Sequence, residues 1–101
     1  MRSRKFDNPF KTRLDIKFLS KKKFNKYVYK DGYQIVDIRW DYQYNKNHIL
    51  FSSHFTPTNF KYQYEQKLNK NSKIIIIGNW RNMVRFYRIL DFANYKVYLL
   101  K

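Results

Sequence analysis

Four consecutive isoleucines at residues 74–77 stand between a polar turn at residues 69–72 and the pair Gly78-Asn79. β-Branched side chains favour an extended backbone, and a run without polar alternation has no face to give to water. The segment is therefore expected to be a central strand, covered on both sides. Directly after it, residues 81–93 place Met83, Phe86, Tyr87 and Leu90 on one helical face and Arg81, Arg85 and Arg88 on the other. A buried strand followed at once by an amphipathic helix is a unit from which parallel sheets are built.

The same alternation runs through the rest of the chain. Residues 14–18 alternate as a half-buried strand should. Ser20 is placed to cap a helix carrying Phe24, Tyr27 and Val28, which Asp31-Gly32 ends; Lys21, Lys22 and Lys23 oppose its dipole. Residues 33–38 form a second buried strand, residues 41–46 a short helical turn, and residues 50–55 contain a short strand. Thr56-Pro57 offers a cap and a proline at the first helical position, with Phe60, Tyr64 and Leu68 four apart along one face. Residues 97–100 close the pattern as a last strand. The expectation is an α/β domain with a central, mostly parallel sheet and helices on both faces. Residues 1–13 are basic, contain Pro9 and lack an apolar period, so they read as an N-terminal arm preceding a domain over residues 14–101.

A chain of 101 residues holds one small core, and ten Tyr with nine Phe make that core aromatic. It has no cysteine, which excludes disulfides, thiolate metal sites and thiol catalysis by its own residues and fits a reducing, cytoplasmic setting. Its longest apolar run cannot cross a bilayer, so no membrane insertion is expected. Lys and Arg number 22 against 7 acids, a net charge of +15 with Glu65 as the only glutamate. That balance attracts polyanions such as RNA, although abundant Lys, Asn, Ile, Tyr and Phe are also what AT-rich coding produces.

Several motifs stand at fixed offsets: Leu19-Ser20, Asp37-Ile38-Arg39, Tyr44, Asn47-His48-Ile49, then a hydrophobic strand, a loop, a helix and Asn94-Tyr95-Lys96-Val97-Tyr98. In this order they resemble the rhodanese-like domain family, over about residues 15–100. The resemblance implies a sulfurtransferase fold in which a cysteine after the hydrophobic strand forms a persulfide held by loop N–H groups at a helix N-terminus. Here that position falls on Gly78 counting along the strand, or on Ile77 counting back from the helix, and neither carries sulfur. The loop Ile77, Gly78, Asn79, Trp80, Arg81, Asn82 and Met83 corresponds to a degenerate active-site loop, in which bulky Trp80 is expected to fill or cover the pocket. The resemblance gives Asp37, Arg39, Tyr44 and His48 structural roles, with Asn47 replacing a glycine.

No other arrangement supplies chemistry. His48 and His54 are the only histidines and lack spaced acidic partners, so no metal site and no cofactor are expected. Ser52-Ser53-His54 cannot pair a nucleophile with a base, because neighbours on a strand point to opposite faces. Arg81, Arg85 and Arg88 form a candidate anion-binding face, against the plainer reading of a solvated helix surface. The expected function is that of an inactive, non-catalytic rhodanese-like module binding an anionic partner (RNA or a ribonucleoprotein) or a protein. Two alternatives stay open: an accessory in sulfur transfer whose partner supplies the cysteine, and a small basic RNA-associated protein.

Overall fold

A computed structural model describes residues 16–28, 30 and 32–100. The expected arm at residues 1–13 lies outside the described residues. The chain alternates strand and helix: β1 (Phe18–Leu19), α1 (Lys21–Tyr27), β2 (Tyr33–Asp37), α2 (Asp41–Lys46), β3 (Ser53–His54), α3 (Phe60–Lys67), β4 (Lys73–Ile77), α4 (Trp80–Phe92) and β5 (Lys96–Leu100). All strand pairs are parallel, in the order β1-β5-β4-β2-β3. The isoleucine run lies at the centre, with Ile75 opposite Ile35 on one side and Tyr98 on the other.

The period of two sorts the strands into two layers. Val36, Ile74, Ile76, Val97 and Leu99 face α3 and α4, joining Phe60, Met83, Phe86, Tyr87 and Leu90 in the larger core. Ile35 and Ile75 face the other way, onto Leu19 and Phe24 of the β1–α1 segment, with Val28, Ile49 and Tyr98 packed around them. Helices thus cover both faces. The larger core is aromatic: Phe60 stacks on Phe86 at 4.1 Å and meets Phe55 edge-on at 5.1 Å.

Local signals account for most element ends. Ser20 Oγ accepts from the Lys23 N–H at 3.2 Å, which holds α1 despite three lysines in its first turn. Thr56 Oγ1 accepts from the Asn59 N–H while Asn59 Oδ1 accepts from the Thr56 N–H, a reciprocal capping pair. Because these bonds spend the first turn on a bend, regular helix begins at Phe60 rather than at Pro57. Beyond α4, Asn94 adopts φ 68, its N–H bonding to Asp91 O and that of Tyr95 to Leu90 O. This double bond ends the helix as a left-handed cap that glycine or asparagine supplies at little strain. Of the strand expected over residues 14–18, residues 14 and 15 lie outside the described residues; among the described ones Ile16 and Lys17 precede the strand, and β1 pairs from Phe18, opposite Leu99, on to Leu19.

Candidate functional site

Ligands of open parallel sheets gather at the carboxyl ends of the strands, and the sequence motifs converge there. At the end of β2, Asp37 is fully buried and receives four hydrogen bonds from Arg39. The backbone N–H and Nε of Arg39 reach Oδ1 at 3.0 Å, while Nε and Nη2 reach Oδ2 at 3.1 and 2.8 Å. Hydrogen bonding to Asp37 pushes the guanidinium pKa above its already high value, so Arg39 is a permanent cation. Its Nη2 also donates to Asn47 O at 2.7 Å, tying the strand end to the segment after α2. Asn47 is extended, at φ −164, a conformation open to any residue, so asparagine at the motif's glycine position carries no backbone strain.

Tyr44 lies between two imidazoles. The His48 ring stacks on it at 3.8 Å and the His54 ring at 4.1 Å. His48 Nδ1 is bonded to Tyr44 O, His54 Nε2 to Arg39 O, and the Tyr44 hydroxyl donates to Ser52 O. His54 Nδ1 is 3.7 Å from an Asp41 carboxylate oxygen. His54 thus belongs to this assembly; sequence reasoning weighed it only with the preceding serines and, beside His48, as a metal ligand, and no periodic signal marks a stack assembled from three segments.

The end of β4 is built differently. Only Gly78 and Asn79 separate the strand from α4. Gly78 has φ +152, and a Cβ there would lie 2.6 Å from Ile38 Cγ1, so backbone and packing both demand glycine. Asn79 Oδ1 accepts from the Asn82 N–H at 3.0 Å, and Asn79 O accepts from the Met83 N–H. The helix start, which in an anion cradle offers its N–H groups to a ligand, thus gives the Asn82 N–H to a side chain of the loop itself. Met83 is buried in the core and Arg81 is exposed on the first turn. Trp80 does not occupy the pocket as expected: its ring stacks on Phe18 at 6.0 Å, half exposed, because Phe18 at the sheet edge offers a parallel apolar surface. An open depression of about 440 Å³ consequently remains between the strand ends, lined by Arg39, Asn47, His48, Ile49, Ile77 and Gly78.

Arg81, Arg85 and Arg88 all project outward from α4. Among the described residues no group of three or more His, Asp or Glu is placed to hold a metal ion, and no helix is long and apolar enough to cross a membrane.

The sequence matches the family model of the rhodanese-like domain over residues 20–101. No curated protein matches it. Among solved structures, a rhodanese-related protein from Thermoplasma volcanium superposes with TM-score 0.75 at 10% identity, covering 84% of this chain and 83% of its own. A protein from Staphylococcus saprophyticus gives 0.72 at 13% identity, covering 85% and 87%. The rhodanese-like domain of an Anabaena sp. protein gives 0.61 at 21% identity, covering 78% and 82%. At such identities these structures share the fold.

Proposed function

This chain belongs to the rhodanese-like domain family, and from that premise we propose that it works as a non-catalytic member, a binding or regulatory module for an anionic partner. The observation that carries this is the packing at Gly78. At Gly78, one of the two positions where the resemblance puts the nucleophile, the backbone conformation and the 2.6 Å approach to Ile38 disfavour any side chain, and the other, Ile77, carries a hydrocarbon that cannot form a persulfide. The chain has no cysteine to form a persulfide elsewhere. What it has in excess is positive charge, +15 over 101 residues, including three outward arginines on α4. RNA or a ribonucleoprotein in the cytoplasm is the partner class that suits such a field.

The purified chain should transfer no sulfur from thiosulfate or mercaptopyruvate above background, and should bind inorganic polyphosphate with an affinity that falls steeply as salt is raised. Sulfur transfer by the chain alone, or salt-independent binding, would overturn the proposal. A second reading has one observation in its favour, the open depression beside Arg39 and His48, which suits an anionic sulfur species delivered by a partner's cysteine. Faster turnover of a persulfide-carrying partner in the presence of this chain would favour it.

A further inference from the structure

We propose that the cleft between α3 and α4 is a stacking site for the unpaired bases of a single-stranded nucleic acid. This rests on the reading of the domain as a binder of an anionic partner, and it names the partner's chemistry and the place where it is held.

The cleft has a volume of about 520 Å³, and Trp40, Tyr62, Lys61, Arg85 and Asn82 lie around it with Phe86 beneath. That volume is in the range of small-molecule sites, about 300–1,000 Å³. Trp40 is 44% exposed and Tyr62 73% exposed. Neither ring belongs to either core. The inner face of α3 is made by Phe60 and Tyr64, which stack on each other at 5.5 Å, and Tyr62 projects away from them. The start of α2 is held by Gln43 Oε1, which accepts from the Trp40 N–H at 3.2 Å, and not by the indole.

The charged residues that line the cleft are both cations. Lys61 Nζ stands 5.7 Å from the centre of the Tyr62 ring, Arg85 flanks the cleft from α4, and among the described residues no carboxylate lines it. A partner that offered only phosphates would have no use for two exposed aromatic faces, and an apolar segment would leave two cations without counter-charge. An unpaired strand offers both, since each base has a π-face and each linkage a negative charge. A duplex keeps its bases stacked inside and could satisfy only the cations. The depression at the strand ends shares none of these lining residues, so the two sites are separate.

The test uses a fluorescein-labelled uridine decamer, a duplex of the same length and inorganic polyphosphate. Wild type should bind the single strand more tightly than the duplex, with quenching of tryptophan emission that shrinks in Trp40→Phe. Tyr62→Ala, at an exposed helical position where circular dichroism can verify the fold, should weaken decamer binding roughly tenfold and leave polyphosphate binding unchanged. Tyr62→Phe should restore it. Arg85→Ala should lower the slope of log affinity against log salt by about 0.7. Equal decamer binding by wild type and Tyr62→Ala, or no preference over duplex, would overturn the stacking site while leaving the anion-binding function standing. Failure of wild type to bind either the decamer or polyphosphate would remove both.

Discussion

Two strand ends lie side by side at the carboxyl edge of this sheet, and they differ in kind. At the end of β2 the motif residues are tied together: Arg39 grips buried Asp37 and the Asn47 carbonyl, and Tyr44 is clasped by two imidazoles. At the end of β4, where the family resemblance places a nucleophile and its anion cradle, a glycine is pressed against Ile38 and an asparagine caps the helix from within. The first set stabilises the domain whatever chemistry it performs. The second has a use in catalysis only if a thiolate is present. The contrast explains how a chain without cysteine keeps the family's architecture: the residues at both strand ends contribute to folding, and only the nucleophile that the chemistry would need is missing.

Breaking the β2 end should have the largest effect. Arg39→Ala leaves a fully buried carboxylate without its partner, and should reduce stability by about 3–5 kcal/mol in urea denaturation. A loss below about 1 kcal/mol, the range of exposed pairs, would show that this end is not held by the ion pair.

At the β4 end, Gly78→Cys asks whether chemistry can be put back. The new Cβ meets Ile38 and the backbone lies where side chains are strained, so a destabilisation of about 1–3 kcal/mol is expected, with sulfur transfer from thiosulfate still at background. Turnover near that of an ordinary rhodanese would mean that the loop retains a working cradle.

Asn79→Ala removes the internal cap of α4 and should cost about 1 kcal/mol, whereas Asn79→Asp should cost nothing or stabilise slightly, since a carboxylate suits a helix N-terminus. Equal losses for both would show that the side chain does not cap the helix in solution.

The smallest effect belongs to Ser52, whose carbonyl accepts from Tyr44 while its own hydroxyl is buried without a partner among the described residues. Ser52→Ala should therefore change stability by no more than about 0.5 kcal/mol, or raise it, in the same denaturation assay. A clear loss would mean that the hydroxyl is bonded in solution and that the β2 network extends further than the contacts around Tyr44.

Much of the architecture is written locally. The isoleucine run, the apolar stripe of α4, the Ser20 cap and the Asn94 turn each depend on residues within a few positions of one another. Backbone preference and side-chain period act over that distance, so the order of elements and the parallel sheet follow from the chain itself. The absence of a thiolate nucleophile is equally plain, because it is a matter of composition. The site's shape depended on contacts between distant segments. Trp80 turns to Phe18 across more than sixty residues, His54 joins His48 around Tyr44, Ile38 closes on Gly78, and Trp40 shares a cleft with Tyr62. A side chain at a strand end or helix start has no periodic constraint on its direction; it goes where the surfaces brought together by the fold give it the best contact, and only the assembled sheet presents those surfaces.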